Sequence, residues 1–122
     1  MDTNRFFKTV LSQNAEELRK FFQKNAAIKW HCTNELFTLD EYIKANCEYP
    51  GNWNGEIERI EENANTIILA CRVFPRDSSE SFHVVSFIHL KDDLIIEMDE
   101  YWSDDGIAPE WRKKMKIGKR IR

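Results

Sequence analysis

The chain has 122 residues, 42% of them hydrophobic and 32% charged, with a formal net charge of −3. That length suits one domain, 1–122, built on one core, and the composition is that of an ordinary globular chain rather than a disordered or fibrous one. The charge gives no whole-surface attraction to nucleic acid or to an anionic membrane.

In chain order, Phe6, Phe7, Val10 and Leu11 recur at helical spacing and predict a first helix. Asn14-Ala-Glu-Glu17 reads as a capping box that opens a second, with Leu18, Phe21 and Phe22 on its apolar stripe. Ala26–Cys32 reads as a short strand with Ile28, Trp30 and Cys32 on one side. Thr38-Leu-Asp-Glu41 is another capping box. The helix behind it groups Leu39, Tyr42, Ile43 and Asn46, and Tyr49-Pro50-Gly51 stops it.

From Trp53 the period changes to two. Strands are expected at Trp53–Glu62, Thr66–Phe74, Phe82–Leu90 and Leu94–Trp102. They are joined at Asn63–Asn65, by a polar turn at Pro75–Ser81, and by Lys91-Asp92-Asp93. Such links predict an antiparallel meander. Helices first and strands afterwards argue for the α+β class. Beyond the strands, Pro109 opens a short helical turn carrying Ile107, Trp111 and Met115 at four-residue spacing, and Gly118 ends it.

The last strand holds the best clue to a site. With alternate side chains on opposite faces, Leu94, Ile96, Met98 and Trp102 share a face with Glu100. A carboxylate on an apolar face must be paired, protonated or functional, because burial of a lone charge is costly. Asp99 and Tyr101 fall on the opposite face. Trp30, Tyr42, Trp53 and Trp102 are amphipathic aromatics suited to walling an apolar pocket. Asn46 lies on the inward stripe of its helix, and Ser86 shares parity with Phe82, Val84 and Ile88. Asn34 and Glu35 follow the first strand, where a loop could reach a cavity mouth. Arg72 could hold Glu100 ionised, clamp an anionic ligand, or snorkel outward.

Other chemistry finds less support. His31, His83 and His89 form no H-x-x-x-H pair and have no zinc-like spacing with cysteine. Cys32, Cys47 and Cys71 are odd in number and lack a C-x-x-C, so no disulfide framework is expected. Cys32 and Cys71 read as small core residues. Residues 112–122 hold seven of the 18 Lys and Arg, but no aromatic follows Trp111, so the tail reads as solvated or self-paired rather than as a nucleic-acid site. No signal peptide or bilayer-length apolar run is visible, so no membrane partner is expected and the reducing cytoplasm is the expected location.

The element order covers nearly the whole chain. It comes with Thr33-Asn34-Glu35, Glu48-Tyr49-Pro50-Gly51-x-Trp53-x-Gly55, Ser86-Phe87, Glu100-Tyr101-Trp102-x-Asp104-Asp105-Gly106, Pro109-x-Trp111-Arg112 and Ile117-Gly118. This set resembles the SnoaL-like branch of the nuclear transport factor 2-like superfamily. The resemblance implies a cone: a curved, mostly antiparallel sheet wrapped around N-terminal helices, with a cavity open at one end and dimerisation through the sheet. Members include polyketide cyclases, steroid isomerases, dehydratases, epoxide hydrolases and domains without chemistry, so the fold does not settle function. The enzymes among them often use an acidic cavity residue as acid or base.

The combined expectation is a cytoplasmic homodimer whose pocket takes a small apolar organic molecule. If it is catalytic, the reaction is proton transfer of isomerase, cyclase or dehydratase type. Glu100 would then be the acid/base, with Trp30, Tyr42, Trp53 and Trp102 shaping the site. Asn46 and Ser86 would hydrogen-bond the ligand, and Asn34 and Arg72 would complete the set. The alternative is a non-catalytic ligand-binding or dimerisation module in which Glu100 is structural. No cofactor or metal is implied, since neither a Gly-rich phosphate loop nor a metal motif occurs.

Overall fold

A computed structural model describes residues 1–77 and 80–122. Helix α1 (Thr3–Ser12) starts where the Asp2 side chain accepts the Arg5 N–H, and it ends at Gln13 in a left-handed conformation, φ 56°. Asn14 caps α2 (Ala15–Arg19) by accepting from Glu17 N–H. That helix is shorter than its stripe suggests. Phe21 O instead accepts Ile95 N–H at 2.8 Å, and Phe22 opens strand β1 (Phe22–Trp30) opposite Ile95. Sheet pairing therefore takes over before the third stripe residue is reached, and Phe22 is buried against Phe6 and Tyr42.

β1 also ends earlier than expected. His31–Thr33 form a 3-10 turn, which leaves Cys32 exposed rather than in the core. Asn34 follows with φ 58°, a left-handed conformation that suits Asn. It lets the chain reverse into β2 (Glu35–Thr38), antiparallel to β1. The segment expected to be a loop is thus an edge strand. The Thr38–Glu41 capping box is formed and opens α3 (Leu39–Cys47).

The strands β3 (Trp53–Asn63), β4 (Thr66–Pro75), β5 (Phe82–Lys91) and β6 (Leu94–Asp104) form the expected antiparallel meander. Ser78 and Ser79 of the Pro75–Ser81 turn lie outside the described residues. The sheet order is β2-β1-β6-β5-β4-β3, and β1 pairs with β6 in parallel. This curved, open six-stranded sheet with N-terminal helices against it is an α+β cone. Between Glu110 and Lys114 lies α4, capped by Pro109 and ending before Gly118. Ile107, Trp111 and Met115 beside it are exposed. No helix among the described residues is long and apolar enough to cross a membrane.

Two of the register shifts among the described strands correct the simple alternation. His89 pairs with Glu97, but the next residue, Leu90, pairs with Ile95. The extra residue in β6 turns Ile95 inward, fully buried, and leaves Leu94 and Ile96 only partly buried. Only from Met98 onward does the expected parity hold. A second shift between Ile57 and Arg59 explains the three-residue spacing of Ile57 and Ile60.

The register arranges inward side chains in rows across the sheet. One row is Ile67, Ile88, Met98, Ile28 and Phe37; the next is Leu69, Ser86, Glu100 and Trp30. Then come Cys71, Val84 and Trp102, and last Val73, Phe82 and Asp104. Helix α1 approaches this surface closely at Gly55, where an added Cβ would lie 2.7 Å from Phe7 Cζ and 2.8 Å from the Arg72 carbonyl oxygen. No side chain fits there.

Candidate ligand site

A cavity of about 270 Å³ opens at the end of the sheet that carries the last rows. Trp30, Trp53, Phe82 and Trp102 wall it together with Val73, and Val10, Leu11 and Ala45 face it from α1 and α3. Its polar lining residues are Gln13, Thr33, Asn46 and Asp104, with Cys32 beside them. Among the described residues no Lys, Arg or His lines it.

The rings are anchored by their polar edges. Trp53 Nε1 donates to Pro50 O at 3.1 Å, and its ring packs against Tyr49 and Phe82 with centroids 5.3 and 5.7 Å away. Trp30 Nε1 and Trp102 Nε1 both donate to Glu100 Oε1, at 3.0 and 3.3 Å. The register puts Glu100 between them, across from Trp30 on β1 and two residues from Trp102 on the same strand face. Gln13 Nε2 donates to the Asn46 and Tyr49 carbonyls at 2.9 and 2.6 Å, which ties the end of α1 to the end of α3 at the cavity rim.

Glu100 is 5% exposed and has no ion-pair partner among the described residues. Ser86 Oγ contacts its Oε2, completing a set of three hydrogen bonds. Burial raises the carboxyl pKa above its ordinary value, while the hydrogen bonds from Ser86, Trp102 and Trp30 oppose that rise. The two indoles are donors only, so Oε1 can only accept. A proton bound by Glu100 therefore belongs on Oε2, beside Ser86, and Ser86 is itself buried.

Of the sequence-derived candidates, Trp30, Asn46, Trp53 and Trp102 line the cavity. Glu100 and Ser86 lie behind the indoles and are not among its lining residues. Tyr42 is buried in the core beside Phe22 and Trp30; burial, with the Glu100 charge adding, drives its phenol pKa well up. The Asn46 amide donates to Val10 O at 3.2 Å. Asn34 serves the turn between β1 and β2, outside the lining. Arg72 does not reach Glu100. Its neighbours Cys71 and Val73 point inward, so it lies on the outer face, 3.2 Å from Glu56 and over the Phe74 ring. Cys71 is buried and its thiol is pushed up to about 12 by burial, with Glu100 and Glu58 adding, which makes it inert.

The cavity also includes Tyr49, Phe82, Asp104 and Gln13. Asp104 is accessible to the same argument as Glu100, since it continues the parity of Met98, Glu100 and Trp102. Gln13 carries no such signal: its place follows from the left-handed end of α1. The histidines face elsewhere. His31 stacks on Tyr101 and bonds Asp99 at 2.7 Å, and His83 contacts Asp105. No group of three or more His, Cys, Asp or Glu among the described residues is placed to hold a metal ion.

No family model matches the chain, and no curated protein matches its sequence. Solved structures do match. A candidate ketosteroid isomerase from Kribbella flavida superposes with a TM-score of 0.80 at 20% identity, over 98% of this chain and 87% of the other. A nuclear transport factor 2-like protein of unknown function from Burkholderia xenovorans gives 0.78 at 16% identity, over 98% and 92%. A candidate SnoaL-like polyketide cyclase from Shewanella putrefaciens gives 0.65 at 8% identity, over 80% and 75%. These likenesses show the fold: the chain has the nuclear transport factor 2-like cone.

Proposed function

We propose that the protein binds a small, mostly apolar organic molecule in the aromatic cavity, as a member of the SnoaL-like type. The observation that carries this reading is a hollow whose walls are pinned. Trp30, Trp53 and Trp102 each spend their one donor on a fixed acceptor. They form a pocket in advance of any ligand, which lowers the ordering cost of binding.

Glu100 acts here as a positioning residue that holds two of the walls. Proton transfer by Glu100, of isomerase, cyclase or dehydratase type, draws support from the burial that raises its pKa. Against it, Oε1 is taken by both indoles, and Oε2 faces a buried serine. A substrate would have to displace an indole to reach the proton. The binding reading needs no such movement. A homodimer formed through the sheet, in the cytoplasm, completes the proposal; a monomeric mass at micromolar concentration would remove its dimer part.

The test is a thermal-shift screen with neutral bicyclic and terpenoid-sized alcohols and ketones, read alongside tryptophan emission. A ligand of the folded state raises the melting midpoint. Binding that survives Glu100→Gln supports a positioning role, and an Ala45→Trp variant that remains folded but binds nothing places the ligand in the cavity. If no compound in the screen shifts the wild type, the binding of a neutral apolar molecule is ruled out.

A further inference from the structure

The cavity pairs an aromatic wall with a carboxylate, and among the described residues no cationic side chain lines it. Five rings, those of Trp30, Tyr49, Trp53, Phe82 and Trp102, contribute to its lining. Trp30 and Trp102 lie 6.4 Å apart at an interplanar angle of 62°, and Trp53 stands between Tyr49 and Phe82. Asp104 is on the same lining, opposite Phe82 in the sheet, and forms no ion pair with any described residue.

Glu100 bears on the same property. Its Oε1 accepts both indole N–H groups. A carboxylate at the N–H edge of an indole pushes electron density toward the ring, and the ring face is where a cation is attracted. The two tryptophans turn that edge to Glu100, and both line the hollow. The carboxylate thus contributes to the wall without lining it.

The few polar atoms on the lining decide what kind of cation fits. A primary ammonium brings three N–H donors that each need an acceptor. A fully alkylated nitrogen needs none, and its methyl groups pack directly on rings. We propose that the cavity takes an organic ammonium cation bearing methyl or other small alkyl groups, held by ring faces with Asp104 as counter-charge. This rests on the binding reading above and names the ligand class for that same pocket.

The experiment compares choline with its neutral carbon isostere, 3,3-dimethyl-1-butanol, by calorimetric titration of the full chain. The two probes share shape and hydroxyl, so the difference isolates charge. Choline is expected to bind about tenfold more tightly, equivalent to about 1.4 kcal/mol. Asp104→Asn is expected to weaken choline severalfold and leave the isostere unchanged. Equal affinity for both probes overturns the cation assignment and leaves the pocket reading intact. An Asp104→Asn variant that weakens both probes alike overturns the counter-charge role. If neither probe binds at millimolar concentration, the cation assignment falls, and the neutral screen described above decides separately whether the pocket binds a neutral apolar molecule.

Discussion

The two ends of the inward sheet surface obey the same alternation and reach opposite results. In the row of Ile67, Ile88, Met98, Ile28 and Phe37, the four aliphatic side chains close on one another and each is at most 4% exposed. In the rows of Trp102, Phe82 and Asp104, two large rings stand among the smaller Cys71, Val84 and Val73, and a hollow remains. Size is not the whole difference. Aliphatic side chains have no polar edge and can settle wherever contact is best. The tryptophans have one donor each, and each donor has a fixed acceptor, so the rings cannot tip inward without breaking a hydrogen bond. Between the two ends lies the row of Ser86, Glu100 and Trp30, where the buried carboxylate holds the indoles of its own row and the next. A buried polar group here keeps a cavity open instead of filling it.

Truncation on the two sides gives the largest test of this contrast. Ile88→Ala removes a fully buried side chain from the closed row and should cost about 2–5 kcal/mol, as large-to-small core changes do. Phe82→Ala enlarges a void that already exists. It should cost less than truncation of a fully buried ring, at most about 2 kcal/mol. Urea denaturation of both variants measures the pair. Equal losses would mean that the open end is packed like the closed one.

Next in size is Gly55→Ala. An added methyl would meet the Phe7 ring and the Arg72 carbonyl, at distances where something must move. Overpacking of this kind costs about 1–3 kcal/mol. The carbonyl belongs to a paired strand, so α1 is the element expected to shift. Since α1 contributes Val10 and Leu11 to the cavity lining, and Gln13 at its end, this substitution should also weaken ligand binding, whereas Ile88→Ala should leave the lining in place.

The pH dependence of Glu100→Gln probes the row between the two ends. Burial raises the Glu100 pKa above the ordinary 4.5, with the three hydrogen bonds opposing. Above that ordinary value the unfolded chain has released the proton while the folded chain retains it. The folded state binds more protons in this window, so wild-type stability falls as pH rises through it. Glutamine has no proton to lose, and its carbonyl can still accept from both indoles. The stability of Glu100→Gln relative to wild type should therefore be flat below the ordinary carboxyl pKa and increase as pH rises above it. Melting curves across that range check the sign; a gap that shrinks with pH would place the folded pKa below the ordinary value.

Much of this arrangement is legible in the sequence. Period-two alternation locates the meander because β4, β5 and β6 bury one face and β3 half-buries one, and the Thr38–Glu41 box marks α3 because both of its reciprocal hydrogen bonds are local. The inward position of Glu100 follows from Met98 and Trp102. What stays hidden depends on pairing between distant segments. The bulge that exchanges Ile96 for Ile95 is set by β5, the early end of α2 by the bond from Ile95 to Phe21, and the strand at Glu35–Thr38 by β1. Two of the three donors on Glu100 are hidden for the same reason: Ser86 and Trp30 are brought to it by registers that alternation within one strand cannot reveal.

The smallest stability effect belongs to Trp53→Phe, and it bears most directly on why the hollow persists. The ring remains, but the bond from Nε1 to Pro50 O is lost. A single neutral hydrogen bond at a partly exposed site is worth about 1 kcal/mol or less. The pinned-edge argument predicts more than that for function. Without its anchor the phenyl ring can turn toward Val73 and Phe82, so affinity for any pocket ligand should fall by more than the stability does. Calorimetric titration with whichever probe binds the wild type, set beside the melting midpoint, compares the two. If Trp53→Phe binds as tightly as wild type, the hydrogen bond to Pro50 is incidental, and the cavity is kept open by the curvature of the sheet rather than by the anchored indoles.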